Sequence, residues 1–180
     1  DDIYSYKRST KIKIDKKNII LCAKFRKGHF EGVIDVMDRL TKLIKPNKIF
    51  MGEKDFQQIY LIKKYINKKY KNRIITCKTI RDKNQLALSS RNKLLSKKSL
   101  ILASKFIKEI KILKKKFLIM NKNINNFLKN KKYIFEKLFK IKIDYLELRR
   151  KKNLKKTNKI KDSKIFTAFY INKVRLIDSF

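Results

Sequence analysis

The stretch IFMGEKDFQQIYLIKKYI, residues 49–66, changes its hydrophobic period partway through. Up to Gly52, the residues KIFM (48–51) make a short apolar run that suits a buried strand. After it Phe56, Ile59, Ile62 and Ile66 form the stripe of an amphipathic helix, with Asp55 placed as its N-cap. The flanking sequence continues the pattern. Phe30, Val33, Ile34, Met37, Leu40 and Ile44 mark a helix that the only proline, Pro46, ends. RIITCKT (73–79) is β-branched and reads as a strand. Residues 30–79 therefore read helix, strand, helix, strand, a βαβ-type unit of a parallel α/β sheet.

Upstream, KIKI (11–14) alternates and predicts a short strand, whereas NIILCAKF (18–25) fits either helix or strand. Downstream, RDKNQLALSSRNKLLS (81–96) is a polar loop of a length that often carries function. Ser96 then caps a helix whose face is Leu100, Ala103, Ile107 and Ile110, and a second helix runs from about Ile124 to Phe139. KIDYLELRR (142–150), KIFTAFYI (164–171) and KVRLIDSF (173–180) read as strands, the last two joined in a hairpin at Asn172-Lys173. The boundary falls near residue 96. Residues 1–95 form an α/β nucleotide-type domain, and residues 96–180 a small α+β domain with an antiparallel sheet.

Composition narrows the function classes. The net charge of +36 points at face value to nucleic acid or an anionic membrane surface. Yet 42 of the 51 basic residues are Lys, beside 27 Ile, 14 Asn and only 3 Gly, which is the skew of A/T-rich codons. Such drift spreads lysine over every solvated face, whereas nucleic-acid binders concentrate charge, favour arginine and interleave aromatics. Specific nucleic-acid binding is therefore the disfavoured reading. No apolar run approaches the ~20 residues of a membrane span. The polar start DDIYSYKRST has no signal-peptide character and no initiator Met. Cys22 and Cys77 lack CxxC spacing and read as buried free thiols of a reducing cytoplasm.

Three groups of residues could carry chemistry. In a chain drifting away from glycine, Gly28, Gly32 and Gly52 are expected where the backbone needs them, in loops or at element ends. Gly52 closes a parallel strand just before a helix, the place where open α/β sheets bind ligands, and the helix N-terminus with Lys54 suits phosphate. An ordinary strand-to-helix turn with a surface lysine fits the same residues and ranks first on the local pattern. In LALSSRN (86–92) two hydroxyls and a guanidinium can wrap a polyphosphate, or simply be a capping serine pair beside a surface arginine. In RKGHFEG (26–32) the only histidine, His29, can pack, cap a helix or help hold an anion with Arg26. One histidine makes no metal site.

In order and spacing these segments resemble the pantoate–β-alanine ligase family. RKGHFEG leading into FMGEKDFQQ, then TIRDKNQLALSSRN, and finally VRLIDS, resemble the family's Arg-x-Gly-His-Phe-x-Gly, Phe-Gly-Glu-Lys-Asp-x-Gln-Gln, Gly-Leu-Ala-x-Ser-Ser-Arg-Asn and Arg-Leu-Ile-Asp segments. The resemblance implies a Rossmann-like nucleotidyltransferase domain, here partial, that uses ATP and Mg²⁺ to adenylate pantoate before β-alanine attacks. It implies an ATP site at Gly52, Glu53, Lys54 and Asp55, with Lys54 on phosphate oxygens. Gln58 would bind pantoate and the backbone at Ile80 would meet adenine. Leu88, Ser89, Ser90 and Arg91 would form the loop closing on phosphate, with Lys54, Ser89, Ser90 and Arg91 carrying the catalysis, while Arg26 and His29 line the cavity. A cytoplasmic homodimer is also implied. Lys27 stands where the family has Pro, and Asn84-Gln85 where it has Asp-Gly, a loss of glycine expected to reshape the loop before Leu86. The family's upstream His-x-Gly-His segment is not in these residues, so the chain is expected to be a carboxyl-terminal portion of a longer enzyme. An inactive relict of that enzyme and a basic nucleic-acid-binding protein are the alternatives.

Overall fold

The computed structural model describes residues 12–119 and 123–180. A short helix α1 (Cys22–Phe25) precedes α2 (His29–Ile44), which begins after Gly28 in the left-handed conformation (φ 75°). Helix α2 buries Phe30 and Ile34, and Lys45 and Pro46 end it. Strand β1 (Lys48–Gly52) follows, then α3 (Phe56–Ile62), a π-helical turn at Lys63–Asn67, the short α4 (Lys68–Tyr70) and β2 (Arg73–Cys77). β1 and β2 pair in parallel, Ile49 opposite Ile74 and Gly52 opposite Cys77. Ile59, Leu61, Ile62 and Ile66 are almost fully buried, and α2 packs on α3 and on the π turn. The expected helix–strand–helix–strand order is therefore present.

Several local expectations change. Residues 12–14 are not a strand, and Lys11 lies outside the described residues. Residues 22–25 of the ambiguous apolar run are helical. KIFM is a strand but not a buried one: Phe50 is 67% exposed. Alternation explains this, because Ile74 faces the buried side while Phe50 and Cys77 occupy the other face, which is open among the described residues. Cys77 is accordingly exposed, and only Cys22 is a buried thiol. Asp55 precedes α3 but makes no side-chain cap, because a 3₁₀ turn at Glu53–Asp55 already leads into the helix.

From Thr79 the chain forms a second compact unit. Helices α5 (Lys97–Phe117) and α6 (Ile124–Phe139) pack on an antiparallel sheet of β3 (Lys142–Arg150), β4 (Ser163–Ile171) and β5 (Val174–Ser179), with β4 in the centre. The Ser96 hydroxyl accepts from the Ser99 N–H and caps α5, as expected. The hairpin turns at Asn172, which takes a left-handed φ of 54°. Phe106 is fully buried, its ring 4.5 Å from Phe169, 5.7 Å from Phe135 and 5.8 Å from Phe139. The unit starts earlier than residue 96. Leu86 and Leu95 belong to its core, and Arg81 pairs with Asp178, so residues 79–95 pack with the sheet.

Because Phe106 joins both helices to β4, Phe106→Ala is expected to destabilise the protein by about 3–5 kcal/mol. Denaturant unfolding measures this, and the loss should exceed that of Ile112→Ala, whose side chain is 45% exposed.

Candidate active site

In the first unit the carboxyl end of β1 runs straight into the Glu53–Asp55 turn. Gly52 is extended (φ −69°), and a methyl group there would meet no heavy atom within 4 Å. Neither backbone conformation nor the chain's own packing demands glycine at this position. Gly32 lies inside α2 rather than at an element end, and of the three glycines Gly28 alone takes a positive φ. Glu53, Lys54 and Asp55 are half-buried along the turn.

The two glutamines that follow have different duties, because neighbours on a helix point about 100° apart. Gln58 is half-exposed. Gln57 is buried; its Oε1 accepts from the Cys22 N–H at 2.9 Å and its Nε2 donates to the Ile20 carbonyl at 2.7 Å. Between those two bonds sits Leu21, buried and held at φ 49°, ψ −128°, a conformation costing about 1–3 kcal/mol. Sequence reasoning passed over Gln57. The only signal was an amide between Phe56 and Ile59 on an apolar helix. Arg26 and His29 do come together: Arg26 Nη1 lies 2.7 Å from His29 Nε2. A guanidinium only donates, so Nε2 accepts and the ring proton sits on Nδ1. His29 thus opens α2 already engaged with Arg26.

In the second unit Ile80 meets Leu88. The Leu88 N–H donates to the Ile80 carbonyl at 3.0 Å, and Arg81 bridges Ala87 in an antiparallel pair. Both side chains at this junction are open, Ile80 72% and Leu88 55% exposed. Asp82 Oδ1 accepts from the Asn84 and Leu86 amides, each at 2.9 Å, and shapes the turn between them. Gln85 adopts φ 72° in that turn. The position that resembles a family glycine takes a left-handed backbone here with glutamine in place, and Gln85 Oε1 accepts from Lys111 Nζ. Burial, then the positive charge of Arg81, pushes the Lys111 ammonium below its usual range.

Ser89 takes the capping role, accepting from the Arg91 N–H at 3.3 Å above a 3₁₀ turn at Ser90–Leu94. Its hydroxyl proton is still available to donate. Ser90 is exposed. Arg91 donates Nη1 to the Arg175 carbonyl at 3.1 Å, and Asn92 Nδ2 donates to the Ala87 carbonyl at 3.0 Å. One of five guanidinium donors is thus used internally. Among the described residues no three His, Cys, Asp or Glu side chains converge as metal ligands. A cavity of about 350 Å³ lies at the opposite, amino ends of β1 and β2, lined by Lys42, Lys45, Tyr70 and Asn72 among others. None of the sequence-predicted site residues lines it.

The family model described as pantoate-beta-alanine ligase matches residues 1–180. The pantothenate synthetase of Flavobacterium psychrophilum is 33% identical over 184 residues, covering 99% of this chain and 64% of its own length. A solved pantoate-beta-alanine ligase from Francisella tularensis, complexed with beta-gamma ATP and beta-alanine, is 34% identical at a TM-score of 0.70, over 94% of this chain and 56% of that one. A pantothenate synthetase structure from Thermus thermophilus, 22% identical, matches in fold with a TM-score of 0.84 over 99% of this chain and 65% of that one. The chain thus spans less than two thirds of these relatives' length.

Gln57→Leu takes the acceptor from the buried Cys22 N–H, at about 1–3 kcal/mol, and one of two donors from the Ile20 carbonyl, which still accepts from the Ala23 N–H. Thermal unfolding should show the loss, and amide exchange at Leu21 and Cys22 should quicken. Gln85→Gly removes a left-handed side chain worth about 1–2 kcal/mol of strain but loses the Lys111 bond and adds unfolded-state freedom. The net expectation is a small stabilisation, up to about 1 kcal/mol, read from the unfolding midpoint.

Proposed function

The chain belongs to the pantoate-beta-alanine ligase family, and from that premise we propose that it forms part of an enzyme joining pantoate to β-alanine at the expense of ATP. The observation that carries the reading is the Gly52–Asp55 turn. It lies at the carboxyl end of parallel strand β1, inside a chain that matches the family along its whole length. The Francisella tularensis relative's complex with a nucleotide and β-alanine supports the same substrates here.

The pantoate carboxylate attacks the α-phosphorus of ATP, and pyrophosphate leaves. The β-alanine amine then attacks the acyl carbon of the pantoyl-adenylate and expels AMP, giving pantothenate. Negative charge builds on the phosphorus and on the departing pyrophosphate, so positioned cations and N–H donors supply the catalysis and no protein nucleophile is needed. Lys54 and Arg91 take phosphate oxygens, with the Ser89 and Ser90 hydroxyls beside Arg91. Gly52, Glu53 and Asp55 border the nucleotide, the Ile80 backbone meets adenine, Leu88 belongs with Ser89, Ser90 and Arg91 to the loop that closes on phosphate, and Arg26 and His29 line the cavity. Gln58 suits pantoate, because an amide both donates to and accepts from hydroxyls. Mg²⁺ would be held through ATP phosphate oxygens and water rather than by a protein cage, and would offset the charge of the triphosphate. The reading extends to a homodimer in the cytoplasm. No described helix is long and apolar enough to cross a membrane.

Pantoate-dependent ATP–pyrophosphate exchange by the full native gene product tests the proposal. Exchange should require pantoate and fall roughly 100-fold or more in Lys54→Ala, the scale of losing one charge-stabilising donor. A folded, ATP-binding protein that shows no exchange overturns it in favour of an inactive relict.

A further inference from the structure

Residues 80–94 are fastened to β5 at two places. Arg81 gives Nη1 to Asp178 Oδ2 at 2.7 Å and Nη2 to Oδ1 at 2.9 Å, a fork-to-fork pair that fixes both groups in one plane. The Asp178 carboxylate is 2% exposed and also accepts from the Ser179 N–H at 2.8 Å. The guanidinium stacks over Phe180 at 4.8 Å and donates once more, from Nη1 to the Gln85 carbonyl at 3.1 Å. The same group therefore holds β5 and the tip of the turn. Six residues beyond Gln85, Arg91 donates to the Arg175 carbonyl. Arg175 is itself held by Asp144 at 2.8 Å, at the register shift of β3.

We propose that Asp178 is a positioning residue: through Arg81 it holds the 80–94 loop so that Ser89, Ser90 and Arg91 meet phosphate. The inference rests on the phosphate-binding reading of those three residues. Asp178 reaches none of them directly. Its effect runs through Arg81, the Arg81–Ala87 bridge and the Leu88–Ile80 bond, an unbroken set of contacts at the base of the loop. Serines and an arginine on a polar loop have no core of their own to fix them. A displacement of about 1 Å at such donors can cost on the order of 100-fold in rate.

Two variants of the full native gene product separate positioning from mere stability. Asp178→Asn keeps the shape and loses the charge. The double variant Arg81→Met with Asp178→Leu replaces the pair with apolar groups, an exchange that buried ion pairs often tolerate without loss of stability. In both, amide hydrogen exchange over residues 86–94 should quicken. The kcat/KM for ATP in pyrophosphate exchange should fall roughly 10- to 100-fold per folded molecule, with the KM for pantoate within about twofold. Wild-type protection of the loop in the folded variants, or wild-type kcat/KM for ATP despite a loosened loop, overturns the proposal. If the wild-type protein shows no pantoate-dependent exchange, the functional reading fails on its own. Hydrogen exchange then still decides whether Asp178 anchors the loop, quickened exchange supporting that anchor and unchanged exchange overturning it.

Discussion

Two strands can lie parallel only if the chain between them crosses back to its starting end. That constraint organises the first unit. With β1 and β2 in register from Lys48↔Arg73 to Gly52↔Cys77, α3, the π turn and α4 become the return path and the unit's apolar mass. Both strands then finish at the same end. The Glu53–Asp55 turn leaves β1 there, and the chain leaves β2 there after Cys77. The pairing thus decides which backbone groups gather at one edge of the sheet. Gln57 draws residues 20–22 onto α3 through one amide that donates and accepts.

In the second unit the helices and sheet make an aromatic core, and charge is used sparingly but deep inside. Arg81–Asp178 and Arg175–Asp144 carry carboxylates that are each 2% exposed. Buried pairs add little net stability over apolar groups of the same volume. Their contribution is direction, since a guanidinium donates to a carboxylate in few orientations, Arg81 through two nitrogens and Arg175 through Nε. Both pairs converge on β5, the strand that also holds Arg91 through a backbone carbonyl.

The scarcity of glycine has a visible structural cost. Eight described non-glycine residues take positive φ, while Gly28 is the one glycine that does. Lys45, Lys71 and Lys140 follow the ends of α2, α4 and α6, where glycine is usual. Gln85 does the same inside the 80–94 loop. The chain takes these left-handed conformations with lysine and glutamine in place. Glycine survival was therefore a poor guide to where the backbone needs freedom, and Gly52 is better understood by what surrounds it than by its φ.

Period and punctuation alone determined the order of elements. Apolar spacing set α2, α3, α5 and α6, Pro46 and Ser96 set their limits, and the two-residue turn at Asn172 set the hairpin, because these are local preferences that act over a few residues. The same local logic found the Gly52–Asp55 turn, the Ser89–Arg91 loop and the Arg26–His29 pair. Tertiary structure decided what depends on distant partners. It left Phe50 and Cys77 exposed among the described residues, gave Gln57 its backbone bonds across 35 and 37 residues, and tied Arg81 to Asp178 across 97. It also drew residues 79–95 into the second unit. No local pattern carries that information, because a buried amide or ion pair is selected by the group it meets rather than by its neighbours in the chain.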